Sequence, residues 1–385
     1  MPPNNRRVKK FLPACAVIMA GGRGTRFWPR SRMRTPKQLL DITSNRTMLR
    51  ETVERLRPMF PPDHIWVVTN EEQVSAVRRE LHDIPKSNIL AEPVGRNTAA
   101  AIGLAAIHLA HEHGDALMAV LPADHFIANA SRYRKIVRSA LKLAGQEEFL
   151  VVLGIPPTHS ETGFGYIERG VLASHPGGFP AYTVRRFTEK PALSVAQRYV
   201  ASGRYYWNAG MFFWKASTFF ENLKEFLPET DRVLAALAAK IGTQKYPAAL
   251  RTLYPRLENI SVDYAIMERA TTLAVTRGKS PRVKPAQRVF VLPAEIGWSD
   301  IGSWSAVYDL IAAKPDANVC PGRIAEFDAS GNFFWSPNKL VAAIGVHNLV
   351  VVETKDALLV CHRSRTQDVG KIVKWIEEQK LRHLL

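Results

Sequence analysis

The sequence predicts an α/β fold, a doubly wound and mainly parallel sheet followed by a small β-rich C-terminal domain. Short apolar runs, ACAVIMA, HIWVVT, ALMAVLP and FLVVLGI, recur between residues 14 and 155, each the length of a buried strand. Between them apolar residues return at helical spacing, as Leu49, Val53 and Leu56 and again as Val74, Val77 and Leu81. Strands that alternate with helices in this way build a parallel sheet. After about Pro315 the pattern changes to short apolar or β-branched runs broken by Gly, Asn and Asp, and it ends in an amphipathic stretch at residues 371–381. The expected division is therefore 14–314 for the large domain and 315–385 for the small one.

With 385 residues, 46% hydrophobic and 23% charged, the chain can bury a large core. Its 52 Lys and Arg against 35 Asp and Glu leave a formal charge of +17, which favours anionic partners. The longest basic block is residues 6–10, and no basic helix is interleaved with regularly spaced aromatics, so nucleic-acid binding is not expected as the main function. That basic block and the apolar run after it imitate a signal peptide. Cleavage there would remove the first strand, and no stretch is long and charge-free enough to cross a bilayer, so a cytoplasmic location without membrane attachment is expected. Cys15, Cys320 and Cys361 lack the spacing of a zinc site or a disulfide framework.

The first strand runs directly into AGGRGTRFWPRSRMRTPKQ, residues 20–38. Gly21, Gly22 and Gly24 let the backbone bring bare N–H groups against a ligand, while Arg23, Thr25, Arg26 and Lys37 add donors and positive charge. This is a phosphate-handling loop. A Walker A loop needs Lys-Ser or Lys-Thr after its last glycine and finds Thr25-Arg26; a dinucleotide fingerprint needs a third glycine where Phe27 stands.

In open α/β sheets ligands bind beyond the carboxyl ends of the strands, where further polar segments fall. AEPVGRNTAAAI, residues 91–102, leads into an alanine-rich helix with Asn97 or Thr98 as its N-cap. Beyond capping, Glu92 and Asn97 could read a guanine edge, whose N1–H and N2–H₂ donors call for acceptors. LPADHFI puts Asp124 after a buried strand, and GWSDIGSW offers Asp300 in a glycine-rich loop. Alone, Asp124 reads as a turn residue; paired with Asp300 and substrate phosphates it suits Mg²⁺. GFGYIERG carries Gly165, RFTEKP carries Glu189 and Lys190, and YYWNAGMFFW carries Asn208. Separately these are turns and a solvated ion pair; together they offer a carboxylate and an amide for hydroxyls, and an ammonium for a phosphate.

The glycine loop with Pro36-Lys37 resembles the signature of sugar nucleotidyltransferases. The combination of EPVGRNTAAAI, PADH, YWNAGMF and WSDIGSW is similar to the mannose-1-phosphate guanylyltransferase (GDP-mannose pyrophosphorylase) branch from Cys15 to about Trp304, less distinctly beyond. Ala100 and Phe164 are mild departures. The resemblance implies mannose 1-phosphate and GTP as substrates and Mg²⁺ as cofactor. Some relatives carry a fused phosphomannose isomerase half; this sequence is short for one and lacks the second His/Glu cluster it would need, so a monofunctional enzyme is expected. The resemblance also implies that Gly21, Gly22, Arg23, Gly24, Thr25, Glu92, Asn97 and Thr98 hold the nucleotide. Arg26, Lys37 and Lys190 would be catalytic, Gly165, Glu189, Lys190 and Asn208 would bind the sugar phosphate, and Asp124 and Asp300 the metal. A homodimer through the C-terminal part is a further expectation. The rivals are a glucose-1-phosphate nucleotidyltransferase using UTP or dTTP, which the first loop does not exclude, and a catalytically silent regulatory relative.

Overall fold

The apolar run after Pro13 forms β1 (Ala14–Met19), from which the main sheet grows on both sides. The computed structural model describes residues 12–271 and 288–385. The other strands of that region are β2 (Ile65–Asn70), β3 (Ile89–Glu92), β4 (Leu117–Pro122), the two-residue β5 (Phe126–Ile127), β6 (Leu150–Ile155), β7 (Tyr166–Ser174), β8 (Ala181–Thr188), β9 (Tyr205–Lys215), β10 (Val289–Pro293) and β11 (Trp298–Ser299). Eight of them join β1 in one nine-stranded sheet in the order β3-β2-β1-β4-β9-β6-β10-β8-β7.

The half built from β3, β2, β1 and β4 is parallel throughout, as the alternating pattern requires. Successive residues of β1 face opposite layers. Ala16 and Ile18 pack with α1 (Met48–Leu56), α2 (Val74–Glu80) and α4 (Ala130–Ala144), whereas Cys15 and Val17 pack under α3 (Asn97–His113). All four are fully buried, which explains why the strand reads as a continuous apolar run. The sheet is doubly wound.

It is also more mixed than the sequence pattern suggests. The eleven-residue β9 inserts between β4 and β6 and runs antiparallel to both. β7 and β8 form an antiparallel pair at the edge, and β7 also pairs with β9. Chain direction at β9 depends on where the preceding helix, Leu193–Ala201, delivers it, a non-local choice that strand periodicity does not encode.

Towards the C-terminus come β12 (Arg323–Phe327), β13 (Phe333–Trp335), β14 (Leu340–Ile344), β15 (Leu349–Glu353) and β16 (Leu358–His362), then the helix Val369–Glu378. β12 pairs parallel with β14 and β13 with β15, while β16 closes antiparallel on β15. The core of this β-rich part is shared with the glycine loop. Phe333, Val350, Val352, Val369, Val373 and Ile376 form one buried cluster with Phe27, Trp28, Leu40, Ile301 and Trp304. Trp304 sits edge-on to Phe27 at 5.1 Å and stacks on Phe333 at 5.6 Å. Among the described residues no helix is long and apolar enough to cross a membrane, and the three cysteines are free thiols.

Candidate active site

The glycine turn after β1 is braced from behind. Gln38 Nε2 donates to the carbonyls of Ala20 (2.7 Å) and Gly22 (3.1 Å) and to Gln73 Oε1 (3.1 Å), and Thr69 Oγ1 donates to the Ala20 carbonyl (3.1 Å). With the carbonyls engaged, the N–H groups of Gly21, Gly22, Arg23 and Gly24 have no acceptor among the described residues. Such a row of free amides is an anion-binding concavity. Gly24 has φ 60°, and a Cβ there would lie 2.4 Å from Lys37 Cβ, so the loop closes onto Lys37 only with glycine at this position.

A cavity of about 480 Å³ opens beyond the carboxyl ends of β1, β3 and β4, where this class of sheet binds ligands. Three groups of residues meet in it. Gly21, Gly22, Glu92, Asn97 and Thr98 form the first. Glu92 is buried and accepts a hydrogen bond at 2.6 Å from the hydroxyl of Tyr254, itself fully buried. Burial pushes the Glu92 carboxyl up to about 7 against the opposing pull of that bond. Neither Asn97 nor Thr98 is the N-cap: α3 already begins at Asn97, and Arg96 precedes it without a side-chain cap bond. Asn97 has φ 64°, and its Oδ1 accepts from the N–H of Thr98 (2.9 Å), while Thr98 Oγ1 accepts from the N–H of Val262 (2.9 Å).

The second group is Asp124, His125, Trp298 and Asp300. Lys37, almost entirely buried, donates to Asp124 Oδ2 at 2.8 Å and to the Asp300 carbonyl at 2.6 Å, tying segments 263 residues apart. Burial is the largest influence on Asp124 and opposes its charge, but the Lys37 ammonium, His125 and the hydrogen bonds to the carboxylate together outweigh it, holding the carboxyl below its usual range. Asp300 moves the other way: burial raises it, Lys37 and Arg26 pull it down, and the charges of Asp124 and Glu161 push it up again. Two neighbouring carboxylates at the cavity fit Mg²⁺, which uses one or two carboxylates and completes its shell with water and phosphates. His125 is pushed down to about 4, chiefly by burial, and its Nδ1 accepts from Trp298 Nε1 at 3.0 Å, which leaves the proton of the neutral ring on Nε2.

The third group is Gly165, Glu189, Asn208 and Asp263. Asn208 is locked at both ends of its amide: Nδ2 donates to Asp263 Oδ1 at 2.7 Å and Oδ1 accepts from the N–H of Gly210 at 2.9 Å. Glu189 Oε2 is buried without a protein partner. A Cβ at Gly165 would stand 2.3 Å from that oxygen, so only glycine lets the carboxylate face the cavity. Burial, then the Asp263 charge, push the Glu189 carboxyl up to about 7, with Lys190 opposing and Glu268 adding. Lys190, at φ 46°, holds Glu189 Oε1 at 3.2 Å and turns its chain mostly to solvent.

The structure thus brings together Gly21, Gly22, Glu92, Asn97, Thr98, Asp124, Asp300, Gly165, Glu189 and Asn208 around one cavity. Lys37 stands behind its wall. Arg23 and Arg26 instead reach the C-terminal part, Arg23 pairing with Glu377 and Arg26 donating to Gln367 Oε1, at 2.7 and 2.6 Å. Thr25 lies on that same side, beside Val373. Three cavity residues or supports escaped the sequence reading. Tyr254 and His125 look like ordinary core residues in sequence. Asp263 is a lone acid in an apolar helical stretch, and its only signal is structural, because it opens a π-helical turn, Asp263–Met267, of the kind that gathers at functional sites.

A sequence profile of the nucleotidyl transferase family matches residues 15–317. The chain belongs to that family. A second profile, the mannoseP isomerase/GMP-like beta-helix domain, matches residues 322–376. Among curated relatives, the mannose-1-phosphate guanylyltransferase of Escherichia coli K12 is 39% identical over 94% of this chain and 73% of its own length. That of Klebsiella pneumoniae is 40% identical over 94% of the chain and 74% of its own length. A crystal structure from Thermus thermophilus, described as a mannose-1-phosphate geranyltransferase, is 33% identical and superposes with a TM-score of 0.82 over 95% of this chain and all of that one. This nucleotidyl transferase is accordingly an enzyme of the mannose-1-phosphate guanylyltransferase group, catalysing a sugar nucleotidyltransferase reaction.

Proposed function

We propose that the enzyme transfers GMP from GTP to α-D-mannose 1-phosphate, giving GDP-mannose and pyrophosphate. The observation that carries this reading is the Lys37 ammonium joined to Asp124 and to Asp300 where the glycine turn and the Glu189 group share one cavity. The nucleophile, a phosphate oxygen of the sugar phosphate, is already ionised near neutral pH, so no general base is needed. As that oxygen bonds to the α-phosphorus, the bond from the phosphorus to the pyrophosphate breaks. The barrier is electrostatic, set by bringing two anions into line.

In this reading the free amides of Gly21, Gly22 and Gly24 hold the triphosphate, and Arg23, Thr25 and Arg26 join them, the two arginines exchanging Glu377 and Gln367 for phosphate. Lys37 neutralises charge in the transition state. Glu92, Asn97 and Thr98 read the guanine. Gly165, Glu189 and Asn208 hold the sugar hydroxyls, and Lys190 the sugar phosphate. Asp124 and Asp300 would hold Mg²⁺, which when bound supplies positive charge to the phosphates.

The test is release of pyrophosphate from a panel of nucleoside triphosphates and sugar 1-phosphates. Release from GTP only with mannose 1-phosphate supports the reading. Preference for glucose 1-phosphate with UTP or dTTP, or absence of release, overturns it. The exposed Phe327, Ile344 and Val360 of the C-terminal strands support a homodimer contact there, which sedimentation equilibrium measures directly. Treating residues 14–314 as the catalytic domain and 315–385 as its small companion belongs to the same proposal.

A further inference from the structure

We infer that a basic hollow formed by the loop after Ser31, helix α2 and the C-terminal turn is a second anion site, one that takes a chain of phosphate groups. The hollow measures about 860 Å³ and shares no lining residue with the catalytic cavity. That volume is within the usual range, about 300–1,000 Å³, of small-molecule sites. Its charged lining is Arg32, Arg34, Arg79 and Arg382 against Glu71, Glu72 and the chain-terminal Leu385.

The charges do not cancel. Arg32 is engaged, pairing with Asp356 at 2.7 Å and donating to the Leu384 carbonyl. Glu71 faces Arg251 at 3.9 Å. Arg34, Arg79 and Arg382 are exposed, come from three separate segments, and have no side-chain partner among the described residues. Three free guanidiniums therefore face the carboxylate of Glu72 and that of the chain-terminal Leu385, which leaves the hollow net basic. Nearby arginines such as Arg30 and Arg50 are by contrast paired, with Asp41 and Asp83.

The chemistry of the ligand follows from the donors. A guanidinium fork matches a tetrahedral oxyanion through two parallel N–H···O bonds, and three forks around one hollow suit an anion carrying several such groups. A single phosphate would leave donors unused. The wall is also joined to the catalytic cavity, because the N–H of Glu71 donates to the Glu92 carbonyl at 3.1 Å.

Isothermal titration with inorganic tripolyphosphate and, separately, with ATP tests the site on the full chain. The R79Q/R382Q protein keeps the bulk of both side chains, and thermal melting checks its fold. R198Q, which removes a remote exposed arginine, controls for general charge. The expected result is a class of tripolyphosphate binding, present in the wild type and in R198Q, that R79Q/R382Q weakens by about tenfold or more. ATP binding equally to that class supports recognition of the phosphate chain whether inorganic or esterified; binding of tripolyphosphate alone supports an inorganic anion. Coincident isotherms for wild type and R79Q/R382Q, or equal weakening by R198Q, would overturn the proposal. None of these outcomes depends on the substrates proposed above.

Discussion

Replacing Tyr254 by Phe removes one hydroxyl from a fully buried ring and leaves Glu92 without the donor it holds at 2.6 Å. That bond favours the ionised carboxylate, so its loss raises further a carboxyl that burial has already pushed up to about 7. A hydrogen bond to a charged group contributes about 2 kcal/mol, which corresponds to a rise of about 1.5 pKa units. At pH 7.5 the ionised fraction of Glu92 would then fall from about three quarters to about one tenth. If the carboxylate is the acceptor for guanine N1–H, KM for GTP should rise about eightfold at pH 7.5 and by less than about twofold at pH 9, where both proteins are largely ionised. The assay is KM for GTP against pH, measured by pyrophosphate release for wild type and Y254F. A Y254F profile that is parallel to the wild type at every pH would refute the argument, because a merely loosened pocket has no reason to recover in base.

The remaining predictions address the other two groups in the cavity. Lys37→Ala should lower kcat by roughly two orders of magnitude, the scale of one lost transition-state donor; single-turnover rates measure it, and an unchanged rate removes Lys37 from the reaction. Asp300→Asn should leave the melting curve intact and weaken the activating response to Mg²⁺, so a superimposable metal titration would exclude Asp300 as a ligand. In Asp263→Asn the charge that helps to raise Glu189 is gone, so the midpoint near 7 in the pH dependence of sugar-phosphate KM should move to lower pH. An unmoved midpoint would mean that Asp263 carries no charge in the folded enzyme. Gly165→Ala forces Glu189 aside, since the new Cβ would sit 2.3 Å from its carboxylate oxygen, and should raise sugar-phosphate KM by about tenfold or more with a stability loss of about 1–3 kcal/mol.

What could be read from the sequence was what adjacent residues decide. β1 and its glycine turn are contiguous, and a strand buried on both faces must be apolar throughout, so residues 14–24 announce both the sheet and the anion loop. Asp124 was legible because it falls just after a strand that periodicity identifies, whereas Glu92, closing the four-residue β3, and Asn208, inside β9 rather than in the turn expected before a strand, were legible only from their motifs. Asp263 was not, because its role rests on contact with Asn208, 55 residues earlier, and a single acid on a helix has a bland explanation in any sequence. Tyr254 was hidden by the same kind of distance, 162 residues from Glu92. The antiparallel course of β9 was equally silent, since an apolar strand pattern does not specify direction.

The placement of Arg23 and Arg26 follows from a balance of two kinds of contact. The backbone of their loop is anchored by apolar burial, with Phe27 and Trp28 packed against Trp304, Phe333 and Val373, and Trp28 Nε1 donating to the Leu384 carbonyl at 2.9 Å. Each such side chain contributes about 1.5–3 kcal/mol on burial, so the anchor is expensive to undo. The arginine tips are held far less firmly. Arg23 and Glu377 are each about 40–50% exposed, and exposed pairs contribute at most about 1 kcal/mol. In the proposed function, a triphosphate offering several oxyanions would draw the guanidiniums from Glu377 and Gln367 without disturbing the packing beneath them. The C-terminal part thus fixes where the loop sits while leaving its charges free to move, and removing it would strip the cover from Phe27, Trp28 and Trp304 before it touched any group in the cavity.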